Sequence, residues 1–196
     1  MRGVEQIAWI YDAFMTVVEW TGLDRWRRWL VDGAAGATLE VGCGTGRNLP
    51  LYRDGLRVVA LELDRHVLRA ARKRASHVPL VLGSAEDLPF RNGQFDTVVS
   101  GLVFCTVRDP QRGLREVRRV LAAGGQLRMM EHVRARSPFA ARLQDLGQPA
   151  WTWIAGGCHP NRDTEANVEA AGFRIDPESR LARKNMRRFV ARPVSR

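Results

Sequence analysis

The chain has 196 residues and a mass of 22.1 kDa, room for one domain and little more. Hydrophobic residues make up 45% and charged residues 27%, which supports a packed core and argues against global disorder; no apolar run approaches the ~18 residues that a membrane span needs. The formal net charge of +10 invites an anionic partner, but only Lys73 and Lys184 are lysines and the arginines are scattered without a dense block, so most of them are expected on solvated helix faces.

The first 36 residues read as a helical lid segment ahead of one domain at 37–196. Val4, Ile7, Ile10, Tyr11, Phe14, Val17 and Val18 recur at three- and four-residue steps and mark one helix face. The opening Met-Arg-Gly-Val-Glu-Gln lacks the uninterrupted apolar core of a secretory signal. Asp24 is placed to cap a second helix carrying Trp26, Trp29 and Leu30. Trp9, Trp20, Trp26 and Trp29 give this segment aromatic weight. Packing on a sheet and cover for an apolar acceptor are two uses for it. With Arg25, Arg27 and Arg28 alongside, peripheral contact with anionic lipid is a third.

From Thr38 short apolar runs alternate with helical stretches. Residues 38–41, 57–62, 78–82, 95–100 and 126–130 read as strands, and 64–75 and 109–121 as the clearest helices, the latter with Leu114, Val117, Val120 and Leu121 on one face. This alternation predicts an α/β fold: a doubly wound, mostly parallel sheet of seven strands with helices on both sides. Phe173-Arg174-Ile175 and Arg188-Phe189-Val190 supply two late strands, expected as an antiparallel pair at one edge. Residues 138–172 ahead of them are expected to be mostly helical, with a loop at 156–160 and Asn161 capping a helix from Arg162.

Leu39-Glu40-Val41-Gly42-Cys43-Gly44-Thr45-Gly46 follows a strand and is expected to open a helix at Gly46-Arg47-Asn48, whose free N–H groups would face a ligand. The dinucleotide fingerprint would need glycine at 47, where Arg47 stands, and no Lys-Ser/Thr follows, so neither that fingerprint nor a phosphate-binding P-loop is present. Glu62 closes the second strand, where a carboxylate can accept both hydroxyls of a ribose.

The loop 40–46 resembles the first motif of the class I S-adenosylmethionine-dependent methyltransferases. Gly83-Ser84-Ala85-Glu86-Asp87-Leu88-Pro89-Phe90 resembles their adenine-side loop, with Ser84 where Asp is usual; Phe95–Ser100, Arg115–Leu121 and Gly124-Gly125 resemble later blocks. Gly101–Val107, Met130-Glu131-His132-Val133, Gly157–Thr164 and Glu169–Phe173 are similar to the thiol S-methyltransferases of animal membranes. The resemblance implies a Rossmann-like fold, S-adenosyl-L-methionine as cofactor, and a cofactor surface of Tyr11, Glu40, Gly42, Cys43, Gly44, Thr45, Gly46, Asn48, Glu62, Leu63, Ser84, Ala85, Glu86, Gly101 and Leu102. It also implies a small-molecule acceptor, with a thiol as the leading expectation. Quinone C-methyltransferases and bacterial phospholipid N-methyltransferases share the broader pattern, so those acceptors stay open.

A thiol has an ordinary pKa of ~8.5, so S-methylation gains from a base. His132, after the fifth strand, is the first candidate and His159, in a glycine-rich loop, the second; orienting Glu131 and shaping the loop are their competing structural roles. Cys105 and Cys158 read as small packing residues and Cys43 as part of the loop. With three cysteines far apart and no Cys-x-x-Cys, neither a disulfide framework nor a bound metal is expected, and the expected location is cytoplasmic, peripheral to the inner membrane face at most. The animal relatives carry an N-terminal hydrophobic anchor for which no comparable run stands here. A nucleic-acid methyltransferase, lacking an Asn/Asp-Pro-Pro-Tyr motif, and a non-catalytic cofactor-binding module complete the alternatives, and no nucleic-acid partner is expected.

Overall fold

The computed structural model describes residues 22–154 and 157–194. The expected first helix, with Trp9, Tyr11 and Trp20, lies outside the described residues. Among the described residues the order is α1 (Asp24–Asp32), β1 (Ala37–Val41), a 3-10 turn (Leu49–Leu51), β2 (Arg57–Glu62), α2 (Arg65–Arg74), β3 (Leu80–Leu82), β4 (Phe95–Gly101), α3 (Pro110–Val120), β5 (Leu121–His132), α4 (Pro138–Ile154), α5 (Thr164–Ala170), β6 (Phe173–Ile175), β7 (Leu181–Arg183) and β8 (Met186–Pro193).

The strands form one sheet in the order β3-β2-β1-β4-β5-β8-β6, with β7 paired to β8. β1 to β5 run parallel; β8 enters antiparallel beside β5, and β6 and β7 pair antiparallel with β8. The doubly wound reading holds, with eight strands among the described residues instead of seven. β7 is the addition: all three of its residues are exposed, so no alternation of apolar and polar residues marks it. The strand order reverses between β1 and β4, so a crevice opens at their carboxyl ends, where open α/β sheets bind ligands.

Leu39, Val41, Val98, Leu114, Val117 and Leu127 are fully buried and join the sheet to α3. Each such side chain contributes roughly 1.5–3 kcal/mol. Asp64 caps α2 by accepting from His66 N and Val67 N, and Arg72, Lys73 and Arg74 stand at the negative end of that helix. Asp109 accepts from Arg112 N ahead of Pro110, which fits the first helical turn because it has no N–H to satisfy.

Three local expectations are corrected. Asp24 is the first residue of α1 and caps nothing; the preceding Leu23 is helical and offers no side-chain bond. α5 starts at Thr164 under an Asp163 cap, while Asn161 donates to Asp145 Oδ1 instead. The glycine loop leads into a 3-10 turn and not an α-helix, because Pro50 restricts Leu49 before it and supplies no N–H.

The arginines are also less peripheral than expected. Arg27, Arg128 and Arg187 are buried. Arg128 Nε donates to Leu30 O at 2.8 Å, its Nη2 donates to Trp29 O, and its guanidinium lies 4.5 Å from the Trp29 ring. Arg188 sits over Trp26 and Trp29. Two carbonyls at the end of α1, which lack helical partners, are thereby satisfied by a cation. Trp26 and Trp29 thus fasten α1 to Arg128 of β5 and Arg188 of β8, while Arg25 and Arg28 are exposed. Among the described residues no helix is long and apolar enough to cross a membrane.

Candidate cofactor and acceptor site

The cleft at the β1/β4 reversal has a volume of about 620 Å³. Its first wall is the loop after β1. Gly42 has φ +65°, and a Cβ there would come within 2.6 Å of Val103 Cγ2, so only glycine fits. Gly44 has φ +58° and a Cβ would meet nothing within 4 Å, which leaves bare backbone facing open cleft.

Glu62 fixes this wall. Its Oε2 accepts from Gly44 N at 2.9 Å, and Oε1 accepts from Leu63 N at 2.8 Å and Asp64 N at 3.0 Å. A carboxylate offers about four acceptor sites. Three bonds hold the loop and capacity remains toward the cleft, as a ribose would require. Open space over Gly44 beside this carboxylate is what the adenosyl part of the expected cofactor needs.

A buried polar chain lies beneath. Asn48 Nδ2 donates to Glu40 Oε1 at 2.9 Å, and Arg27 Nη1 donates to Asn48 Oδ1 at 2.8 Å. Burial pushes the Glu40 carboxyl up to about 7 against these donors. Burial likewise raises the Cys43 thiol, with the Glu40 and Glu62 carboxylates adding to the effect. Cys43 is thus a neutral packing residue, as expected.

The adenine-side loop rests on α3. Leu88 N donates to Glu116 Oε2 at 2.9 Å, and Arg119 donates to Leu88 O, Phe90 O and Glu116. The sequence blocks at 83–90 and 115–121 are therefore two halves of one clamp. Ser84 Oγ accepts from Glu86 N, which turns its hydroxyl to loop shaping.

The opposite wall follows β4. Leu102 has φ +62°, a conformation that L side chains rarely adopt. Its N donates to Met130 O at 2.7 Å. The next three N–H groups converge on the carboxylate of Glu131: Val103 N at 2.7 Å and Phe104 N at 2.9 Å to Oε1, and Cys105 N at 3.4 Å to Oε2. Glu131 is fully buried, and burial raises its carboxyl to about 7 despite these donors. Arg162 Nη1 donates to Phe104 O at 2.7 Å and also to Val107 O. The segment 102–107 is therefore held from β5 and from the loop before α5.

Behind it lie Cys105, His132 and Cys158, whose ligand atoms are all within 4.8 Å of one another. A hydrogen bond from the Cys105 thiol, aided by His132, favours the thiolate at Cys158, and the same bond holds Cys105 protonated. His159 N donates to Cys105 O at 2.8 Å, and its ring Nδ1 contacts Gly157 O at 2.7 Å.

Of the residues expected to bind cofactor, Gly42, Cys43, Gly44, Thr45, Asn48, Glu62, Leu63, Ser84, Ala85, Glu86, Gly101 and Leu102 line the cleft. Glu40 and Gly46 lie beneath it, Gly46 against Ala71 and Leu49. Tyr11 lies outside the described residues. Neither His132 nor His159 is among the lining residues; His132 joins the two cysteines, and the His159 ring is taken up by its loop. Glu131 braces the wall from behind. Sequence reasoning missed Arg27 and Val103 as lining residues and the 106–108 segment that follows, since only tertiary packing brings them to the cleft.

Comparison with known proteins agrees with this geometry. A methyltransferase domain model matches residues 39–129. The chain is 37% identical over 151 residues to a human thiol S-methyltransferase (TMT1B), covering 72% of this chain and 62% of that protein. It is 35% identical over 133 residues to a demethylmenaquinone methyltransferase of Renibacterium salmoninarum, covering 65% and 56%. It is 33% identical over 118 residues to a phosphatidylethanolamine N-methyltransferase of Cereibacter sphaeroides, covering 57% and 58%. The match thus spans about three fifths of these relatives. Among solved structures, an S-adenosylmethionine-dependent methyltransferase of Thermotoga maritima superposes with TM-score 0.73 at 21% identity, over 95% of this chain and 96% of that one. The [4+2]-cyclase SpnF superposes at 0.68 with 18% identity, over 88% and 81%. The architecture alone therefore does not fix a reaction.

Proposed function

We propose that the chain is a class I S-adenosylmethionine-dependent methyltransferase that moves the methyl group of that cofactor to a small apolar acceptor, a thiol before a phospholipid amine or a quinol. The observation that carries the thiol is the degree of the similarity: 37% identity over 151 residues with the human thiol S-methyltransferase. The quinone and phospholipid enzymes align at lower identity, 28–35% and 33%, one of the quinone enzymes over 166 residues.

The residues fit the cofactor. Glu62 would accept from its ribose and the Gly42–Thr45 backbone would lie along it, with Ala85 and Glu86 on the adenine side. When bound, S-adenosylmethionine supplies an electrophilic methyl on a sulfonium. The chain's own task is then to hold an acceptor in line at ~3–3.5 Å and to exclude water. Leu102, Val103 and Val107 give the acceptor side an apolar surface, and the Glu131 bonds keep it from yielding. The acceptor thiol must lose its proton. His132 stands behind the wall with the cysteine pair and does not reach into the cleft.

The test is formation of S-adenosylhomocysteine with a small aliphatic thiol, run beside a phosphatidylethanolamine dispersion and a demethylated quinol, with Glu62→Ala as blank. Product with the thiol alone is the expected outcome. Product only with lipid or quinol overturns the thiol and keeps the cofactor reading; product with none, while cofactor binds, leaves a binding module.

A further inference from the structure

Two of the three cysteines meet. Cys105 and Cys158 form a buried cluster of their own, apart from the main core, and are 2% and 4% exposed. His132 completes it, with all three ligand atoms inside 4.8 Å. Packing accounts for a buried cysteine, which behaves as a small hydrophobe. It does not account for an imidazole set against two thiols at this spacing.

We propose that Cys105, His132 and Cys158 form a three-ligand site for a thiophilic divalent cation, Zn²⁺, with its fourth position open toward the acceptor. Two sulfurs and one imidazole nitrogen are a zinc ligand set. Zn–S bonds of about 2.3 Å and Zn–N bonds of about 2.0–2.1 Å in a tetrahedron place ligand atoms roughly 3.5–3.8 Å apart. The observed spacing needs to close by about 1 Å at most, which small side-chain rotations supply.

The backbone around each ligand is already held. Cys105 N donates to Glu131 and Cys105 O accepts from His159 N. Cys158 O accepts from Thr152 Oγ1 at 3.2 Å, next to Gly157 at φ +105°. His132 ends β5 in register with Met186, and its carbonyl accepts from Thr164. Such fixed supports are what a preorganised metal site requires. Sequence spacing hides the set, because its members come from the loops after β4, β5 and α4 and no local metal motif is formed.

Zinc sites with three protein ligands keep the fourth place for water or substrate. Thr106 lines the cleft, and its Oγ1 is 3.7 Å from Cys105 Sγ, so the cluster stands directly behind the acceptor wall. An acceptor thiol in the fourth position would bind as thiolate; this half of the inference rests on the thiol reading above. The protons balance as follows. Zn²⁺ entering the reduced site takes both sulfurs as thiolates and sends the Cys105 thiol proton to solvent, and an acceptor thiol taking the fourth place releases one more.

The test uses the full chain, reduced and freed of metal with a chelator, titrated with Zn²⁺ against a chromophoric competitor. The expected result is one equivalent per chain, bound at micromolar Kd or tighter, with at least one proton released as read by calorimetry in buffers of different ionisation enthalpy. Cys105→Ser and Cys158→Ser should each weaken binding by about 100-fold, while Cys43→Ser keeps the stoichiometry. Folded, reduced wild type that takes up no zinc overturns the site, whatever the variants do. Zinc bound equally by wild type and both serine variants overturns its location. Thiol methylation that proceeds at full rate without zinc overturns the role of the fourth position and leaves S-methylation standing. Zinc binding without thiol turnover does the reverse, removing the thiol reading and keeping the metal.

Discussion

On the β1–β2 side of the cleft, the groups that hold the wall lie close together in the chain. Gly42, Gly44, Glu62 and Asp64 belong to one strand–loop–strand unit, and the bonds of Glu62 stay within it. On the β4–β5 side the wall at 102–107 is held by Glu131 from β5, Arg162 from beyond α4 and His159 from the same distant loop. The first side is a backbone surface shaped for one ligand. The second is a set of long-range contacts that can change with the acceptor while the sheet stays the same. Fixed cofactor and variable acceptor within one architecture follow from that division of labour.

Removing the long-range brace should produce the largest effect. Glu131→Ala leaves three N–H donors of the 103–105 segment without a partner, at about 1–3 kcal/mol each. Chemical denaturation should show a loss of about 3–9 kcal/mol in all. In the fraction that stays folded, the KM for the acceptor should rise while cofactor affinity holds. A variant of unchanged stability would mean that water satisfies this segment and that the wall is not braced.

The matching change on the other side is Glu62→Ala. The acceptor capacity left on Glu62 takes one charge-assisted bond from the cofactor ribose, and losing it, at about 1.5–3 kcal/mol, corresponds to about a 10- to 100-fold loss of cofactor affinity. Calorimetry with S-adenosylhomocysteine measures it, and the far-ultraviolet circular dichroism should be unchanged. Equal affinity in the variant would move the ribose elsewhere and undo the contrast between the two sides.

The same contrast explains what could be read from the sequence. β1, β2 and β4, the helices α2 and α3, and the glycine loop with Glu62 follow from periodicity, caps and short-range spacing, and the structure returns them within a residue or two. The features that were missed depend on distant partners. Arg128 is buried because Trp29 and the end of α1 receive it. Asn161 does not cap because Asp145 takes its amide. Glu131 turns from the cleft because three N–H groups behind the wall converge on it. Cys105, His132 and Cys158 meet only once the loops after β4, β5 and α4 are in place.

Each side also holds one carboxyl that burial raises to about 7, Glu40 beneath the glycine loop and Glu131 behind the acceptor wall. In the unfolded chain both titrate near 4.5. Between these values the folded protein retains protons that the unfolded chain has lost, so stability falls as pH rises from about 4.5 to 7 and levels off above. Glu40→Gln mimics the protonated form at one site. It should remove Glu40's share of the fall, on the order of 2–3 kcal/mol, and leave that of Glu131. Denaturation at pH 5, 6, 7 and 8 reads both slopes, and parallel curves for variant and wild type would show that Glu40 is ionised throughout.

The smallest effect separates what shapes the first wall from what merely adjoins it. Asp64 caps α2 through His66 N and Val67 N, and its own N donates to Glu62 Oε1. Asp64→Ala removes the side-chain cap and keeps the backbone donor. The helix should lose about 1 kcal/mol. Cofactor affinity should stay within about twofold, because Glu62 keeps its three N–H partners and its remaining acceptor capacity. If the cap belongs to the ligand surface instead, affinity will fall together with stability. The cofactor wall would then extend past Glu62 into α2, and the short-range unit that defines this side would be one helix longer than its hydrogen bonds indicate.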